Sequence, residues 1–232
     1  MINKMQSLIP ISSTKNRKDK LMSRIAGKAY SFTIYASCII IGIQTASATE
    51  LSNRITTEGN SKAKGLLLQM DYPATWGFND AKRPNTVTNA FSDNGKGLDG
   101  CVTTIHINDN AKGSGNYSLP KEARKMISSN PSAIYYEIAE RNSLSGVSGG
   151  KTIVDGELGV WLTGNREEER FGIKMYNHFF ITLFWYKKWI TTITCTSGGD
   201  SVDSAAKQFE KTKPLFQKIT LSTVILSKWL QQ

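Results

Sequence analysis

An α+β domain is the fold class the sequence predicts, built on a central, mostly antiparallel β-sheet covered by helices. Strand signals come first, then two helices, then strands again and a last helix, with no regular βαβ alternation that would demand a parallel sheet. Period-two alternation is clearest from Cys101 to Asn108. An aromatic-rich hairpin runs out from Phe171 to Phe184 and back from Trp189 to Thr196. No internal repeat or low-complexity tract breaks the order, so residues 64–232 read as one domain.

The elements follow in chain order. Residues 49–63 are polar and aperiodic, which predicts a flexible leading segment. Gly65 to Tyr72 is a short apolar strand stopped by Pro73, which has no N–H to donate. Trp76-Gly77-Phe78 adds a short extended piece, and Asn85 to Phe91 alternates up to a turn at Ser92–Gly97, where Asn94-Gly95 supplies positive φ. Ser118 caps a helix opened by Pro120 and carrying Ala123, Met126 and Ile127 at helical spacing. Asn130-Pro131 opens a second helix through Ile134, Tyr135, Ile138 and Ala139. Ser143 to Gly150 reads as a Gly/Ser loop, Thr152–Val154 and Leu158–Leu162 as strands about Asp155-Gly156, and Gly164–Arg170 as a charged reversal. The final helix carries Val202, Ala205, Ala206 and Phe209 after the cap candidates Asp200 and Ser201, and Pro214 should interrupt or kink it.

Ahead of the domain, residues 1–48 have the three parts of a cleavable secretory leader. Basic residues run to Lys28, an apolar stretch spans Tyr30 to Ile43, and Ala46-Ser47-Ala48 offers small residues to a peptidase, predicting cleavage between Ala48 and Thr49. Met22 would open a leader of more ordinary length. The apolar stretch falls short of the ~20 residues that span a bilayer, so no stable membrane insertion is expected after cleavage. Cys38 lacks a lipoprotein's setting, with Tyr35 three before it and an apolar continuation.

The leader also accounts for most of the charge. The whole chain holds 29 Lys+Arg against 19 Asp+Glu, a net +10. Seven of the basic residues but only Asp19 lie before Thr49, which leaves +4 for the remainder, with the signs interspersed. A nucleic-acid binder would carry a clustered basic stripe, and none is evident. Cys101 and Cys195 are the two cysteines of the processed chain. In an oxidising compartment they can form one bridge, or they can stay as two buried thiols.

Several patterns imitate catalytic chemistry. Gly146-Val147-Ser148-Gly149-Gly150 matches the nucleophile-elbow spacing G-x-S-x-G, which needs a strand before the serine and a helix after it. Here a Ser-rich loop precedes it and a β segment follows. Gly150-Lys151-Thr152 ends like a phosphate-binding loop, but Ser145 stands where its first glycine should be. His106 and His178 are far from each other and from the cysteines, with no ligand spacing for zinc. Asn108-Asp109-Asn110 lacks the acidic first and twelfth positions of a calcium loop. The Glu167–Glu169 run between Arg166 and Arg170 reads as a solvated face. No catalytic, cofactor or metal residues are assigned. Trp185, Tyr186, Lys187, Lys188 and Trp189, around the hairpin tip, form the candidate protein-contact site, since exposed aromatics beside cations are what contact hot spots contain, with capping of the core as the alternative for these rings.

An ordered set of short motifs carries a resemblance. Tyr72-Pro73 with Trp76 three on, Arg83-Pro84-Asn85 leading into the strand that ends at Phe91, Ile190–Cys195 running into the helix through Phe209, and Lys218-Ile219-Thr220 resemble the PsbP-like superfamily over about residues 65–226. The resemblance implies helices on both faces of the sheet, and a binding or assembly module that acts through protein partners. The expected function is that of a periplasmic or secreted, non-catalytic accessory domain of the envelope or a secretion assembly. A small apolar-ligand carrier with a closed cavity between sheet and helix is the alternative, and a hydrolase around Ser148 is the third.

Overall fold

The structure is a computed structural model that describes residues 50–79, 82–92, 99–107, 121–170 and 172–230. The leader with its Ala48–Thr49 junction, Cys38, residues 93–97 of the Asn-Gly turn, the Asn108–Asn110 turn and the Ser118 cap lie outside the described residues. The described elements are β1 (Leu51–Thr56), β2 (Gln69–Pro73), β3 (Trp76–Phe78), β4 (Thr86–Ser92), β5 (Gly100–Ile107), α1 (Lys121–Ser129), α2 (Pro131–Arg141), β6 (Ser145–Val154), β7 (Glu157–Arg170), β8 (Ile173–Tyr186), β9 (Trp189–Gly199) and α3 (Val202–Leu221), with 3-10 turns at Ser61–Ala63 and Leu226–Lys228.

Seven strands form the main sheet in the order β3-β4-β5-β9-β8-β7-β6, and β1 pairs with β2 apart from it. Every neighbouring pair is antiparallel. The sheet is thus two meanders joined at one seam, where β5 meets β9 in a continuous register from Gly100↔Thr196 to Ile107↔Trp189.

Central strand β8 shows why the sheet needs cover on both sides. Successive side chains of a strand point to opposite faces. Phe180, Phe184 and Tyr186 enter the main core with Phe209, Phe216 and Ile219 of α3. Phe179 and Ile181 pack with Ala139 of α2, while Leu183 and Trp185 pack with Ile127 of α1. Helices therefore cover both faces, and β8 is apolar from Phe179 to Tyr186, apart from the buried Thr182, because there neither side lies open to water.

Four local expectations are corrected. Residues 51–56, expected to be aperiodic, form β1, because Leu51 and Ile55 lean on the core while Ser52, Arg54 and Thr56 face out. The Gly/Ser loop is the edge strand β6. Its glycines let α2 lie close: a Cβ on Gly149 would stand 2.8 Å from the Tyr135 ring and 2.6 Å from the Trp161 carbonyl oxygen. The charged reversal is the end of β7, which pairs with β8 as far as Arg170↔Ile173. Charges are held there because the pairs close locally, Arg166 with Glu168 and Lys174 with Glu167 at 2.8 Å. Finally, α3 runs through Pro214 without a break, because Pro214 and Glu210, whose carbonyl loses its donor, both face solvent.

The start of α3 follows the sequence reading. Ser201 Oγ accepts the Ser204 N–H at 3.2 Å, and Ser204 Oγ accepts the Ser201 N–H at 3.1 Å, a reciprocal cap with serine in the usual Glu position.

Candidate functional site

The β8–β9 turn carries the residues singled out at the hairpin tip, and the rings on it cap the core. Tyr186 and Trp189 are each only 7% exposed and belong to the main core. Trp185 points to the opposite face and packs beside α1. Lysines roof the rings. Lys187 Nζ stands 5.3 Å over Tyr186, Lys188 Nζ 4.9 Å over Trp189, and Lys228 Nζ 5.7 Å over Tyr186 from its other neighbour, the C-terminal 3-10 turn. Long cationic side chains lay their methylenes on apolar surface and keep their charge in water.

The two rings stack on each other, 6.0 Å between centroids and 8° from parallel. Trp189 Nε1–H donates to the Lys64 carbonyl at 3.1 Å, which brings a fourth lysine to the same end of the sheet. Lys64 sits in the left-handed region (φ 54°) just after the Ser61–Ala63 turn. Its charge, together with partial burial as the larger cause, holds the His106 imidazolium below its ordinary pKa. Lys228 is the neutralised member, 3.0 Å from Glu157 and 3.5 Å from Asp155, and it also donates to the Asp155 carbonyl. Trp229, next along, is 66% exposed. Lys64 and Lys228 escaped sequence reasoning because their place beside the tip is made by contacts across most of the chain.

Cys101 and Cys195 stand directly opposite each other on β5 and β9, fully buried, and form a disulfide with Cα atoms 4.0 Å apart. The bond crosses the seam between the two meanders.

The catalytic look-alikes are not brought together. Ser148 lies within β6, opposite Thr163, which in turn is opposite Phe180 on β8. Two strand spacings of ~4.8 Å therefore separate it laterally from the strand of His178, about three times hydrogen-bonding distance. Gly150-Lys151-Thr152 is extended strand, with no helix following it. His178 stacks on Phe209 at 5.3 Å, and its pKa is lowered by burial, with Glu210 opposing. His106 Nδ1 lies 3.2 Å from Asn85 Nδ2. Among the described residues no three His, Cys, Asp or Glu side chains are grouped to hold a metal ion. No described helix is long and apolar enough to cross a membrane.

Among the described residues one carboxylate sits deep. Asp99 is 4% exposed, its carboxylate accepting from Ser197 Oγ at 2.7 Å and from Gln208 Nε2 at 2.6 Å. It borders a pocket of about 390 Å³, open on one side and lined also by Asn89, Phe91, Ser92, Val102 and Thr196. An apolar-ligand carrier would use a closed, apolar cavity instead.

In structure the chain is similar to cyanobacterial PsbP. That match, to CyanoP of Synechocystis, has a TM-score of 0.42 at 10% identity and covers 79% of this chain and 98% of the other. The chain is also similar to LpqN, described as involved in cell envelope biogenesis of Mycobacterium tuberculosis, with a TM-score of 0.39 at 10% identity over 74% of this chain and 90% of that one. No family model matches the chain, and no curated protein does. A fold by itself assigns neither activity nor partner.

Proposed function

We propose that the chain is exported and works, without chemistry of its own, as a contact domain of the bacterial envelope, meeting a protein partner through the end of the sheet at the β8–β9 turn. One observation carries the reading: the ammonium groups of Lys187 and Lys188 are held over the stacked rings of Tyr186 and Trp189 on a short turn between two long, paired strands. Rings fixed in a core give the lysines a rigid base, and a pre-ordered surface loses less entropy on binding. The three-part leader and the Cys101–Cys195 disulfide favour an oxidising compartment outside the cytoplasm.

The test is site-directed crosslinking in the native envelope fraction, with a photoreactive residue at position 187 or, as control, at 207 on α3. A discrete crosslinked species from position 187 alone is expected. Equal yields from both positions, or unprocessed chain found in the cytosol, would refute the proposal.

A further inference from the structure

The open edge of the main sheet points to a second contact, independent of the β8–β9 turn. We infer that the protein self-associates through β6, two copies joining antiparallel about a two-fold axis so that one sheet runs on into the next.

β6 ends the seven-strand sheet, and no described strand lies beyond it. Its hairpin with β7 turns in two residues, Asp155 and Gly156, both at positive φ (47° and 79°). Such a turn makes Val154 and Glu157 a hydrogen-bonded pair, and bonded pairs alternate along an antiparallel ladder. Thr152 and Gly150 therefore bond toward β7 as well, while the backbone N–H and C=O groups of Gly149, Lys151 and Ile153 point out from the edge. Protection against pairing is thin: β6 has no proline, one cation at Lys151 and a register shift between Ser145 and Ser148.

The side chains choose the register. Lys151 opposite its own copy would set like charges face to face. With Gly150 on the axis, Lys151 instead exchanges backbone hydrogen bonds with Gly149 of the other copy, and Ile153, 62% exposed, meets Val147.

Two features select a second copy over an unrelated strand. The first is spacing. α2 lies over β6 and β7 together, with Tyr135 against Gly149 and Ala139 packed with Leu162. Joining the edges at the strand spacing sets the two α2 axes two spacings apart, ~10 Å, a distance at which helices pack. Tyr136, 54% exposed with its ring centroid 4.8 Å from that of Tyr135, is covered by this arrangement, whereas a bare peptide on the edge leaves it in water. The second is charge. α2 passes into β6 through residues 142–144, so its C-terminal half lies toward Ser145. Antiparallel pairing carries that half toward Lys151 of the other copy, which brings Glu140 to it. Both side chains are exposed, and neither enters an ion pair within the described residues.

Sedimentation velocity and amide hydrogen exchange on the processed chain test the inference. Dimer should form with rising concentration, and exchange at Gly149 and Lys151 should slow as it does, a readout that needs no variant. A two-fold axis repeats every contact, so Lys151→Glu or Glu140→Lys should each raise the dissociation constant at least ~tenfold. The two reversals together should restore it, and Lys207→Glu on α3 should leave it unchanged, with folding checked by circular dichroism. A chain still monomeric at ~1 mM overturns the inference, since even a weak contact is half-formed there. So does a dimer in which the Gly149 and Lys151 amides exchange as in the monomer, or one that both single reversals leave intact.

Discussion

Removing the disulfide gives the sharpest test of how the two meanders are held. In the double variant Cys101→Ala/Cys195→Ala, the native strand ladder between β5 and β9 keeps its backbone pairing, so the main loss lies in the unfolded chain. A sequence separation of 94 closes a loop whose restored entropy is worth about 4.7 kcal/mol in the chain-entropy relation. For a domain of this size each kcal/mol lowers Tm by ~2–4 °C, so the fall should lie between ~9 and ~19 °C. Urea denaturation followed by tryptophan fluorescence reads the free energy directly. Its slope is informative as well: an uncrosslinked chain exposes more surface on unfolding, so the m-value should rise as stability falls. A loss under ~1 kcal/mol with an unchanged m-value would refute the reasoning, because the bond would then be adding nothing to a seam the ladder already secures.

Gly149→Val should cost ~1–3 kcal/mol, since its Cβ would press on both the Tyr135 ring and the Trp161 carbonyl, and the urea midpoint measures it. Ser148→Ala, one residue away on the same strand and exposed, should shift that midpoint by less than ~0.5 kcal/mol. Acidification should destabilise the domain near pH 6. Both His106 and His178 have folded pKa values below the ordinary 6.5, so the unfolded chain binds more protons in that window and stability falls as pH drops through it. The effect is small because His106 is exposed and His178 only half-buried, so solvent screens both. Urea midpoints at pH 7.5 and pH 5.5 should differ in that direction, with the slope flattened in His106→Gln/His178→Gln; a midpoint that rises on acidification contradicts the sign.

The elements legible in the sequence are those whose signals are local. Asn130-Pro131 opens α2, Ser201 caps α3, and the alternation of Cys101 to Asn108 gives β5 within one residue. The long β8–β9 hairpin is legible because aromatic and β-branched residues dominate both arms. What was illegible depends on partners far away in the chain. Ser145–Gly150 has the composition of a loop, and its extended form rests on β7 beside it and Tyr135 above it. The acidic end of β7 reads as a turn until Lys174 is seen across the ladder. At the tip the residue types are legible and their burial is not. Tyr186 and Trp189 are buried rings beneath lysines, and one of those lysines, Lys228, comes from a 3-10 turn some forty residues further along the chain.

The strand order sets a timetable for folding as well as a shape. β5 finds its neighbour β9 only after some eighty further residues have been made, since Ile107 pairs with Trp189. β2 waits longer still, since Gln69 exchanges backbone hydrogen bonds with Val224 and the Asp71 N–H reaches Ser222. If the chain crosses a membrane N-terminus first, β5 has only β4 beside it until β9 emerges, and β2 has only β1 until the residues after α3 do. During that interval β5 presents a bare edge and a lone thiol, the conditions under which a nascent chain aggregates or mispairs. Joining of Cys101 to Cys195, with an oxidant of that compartment taking up the two electrons, would therefore serve as a molecular timestamp, marking the moment β9 has arrived.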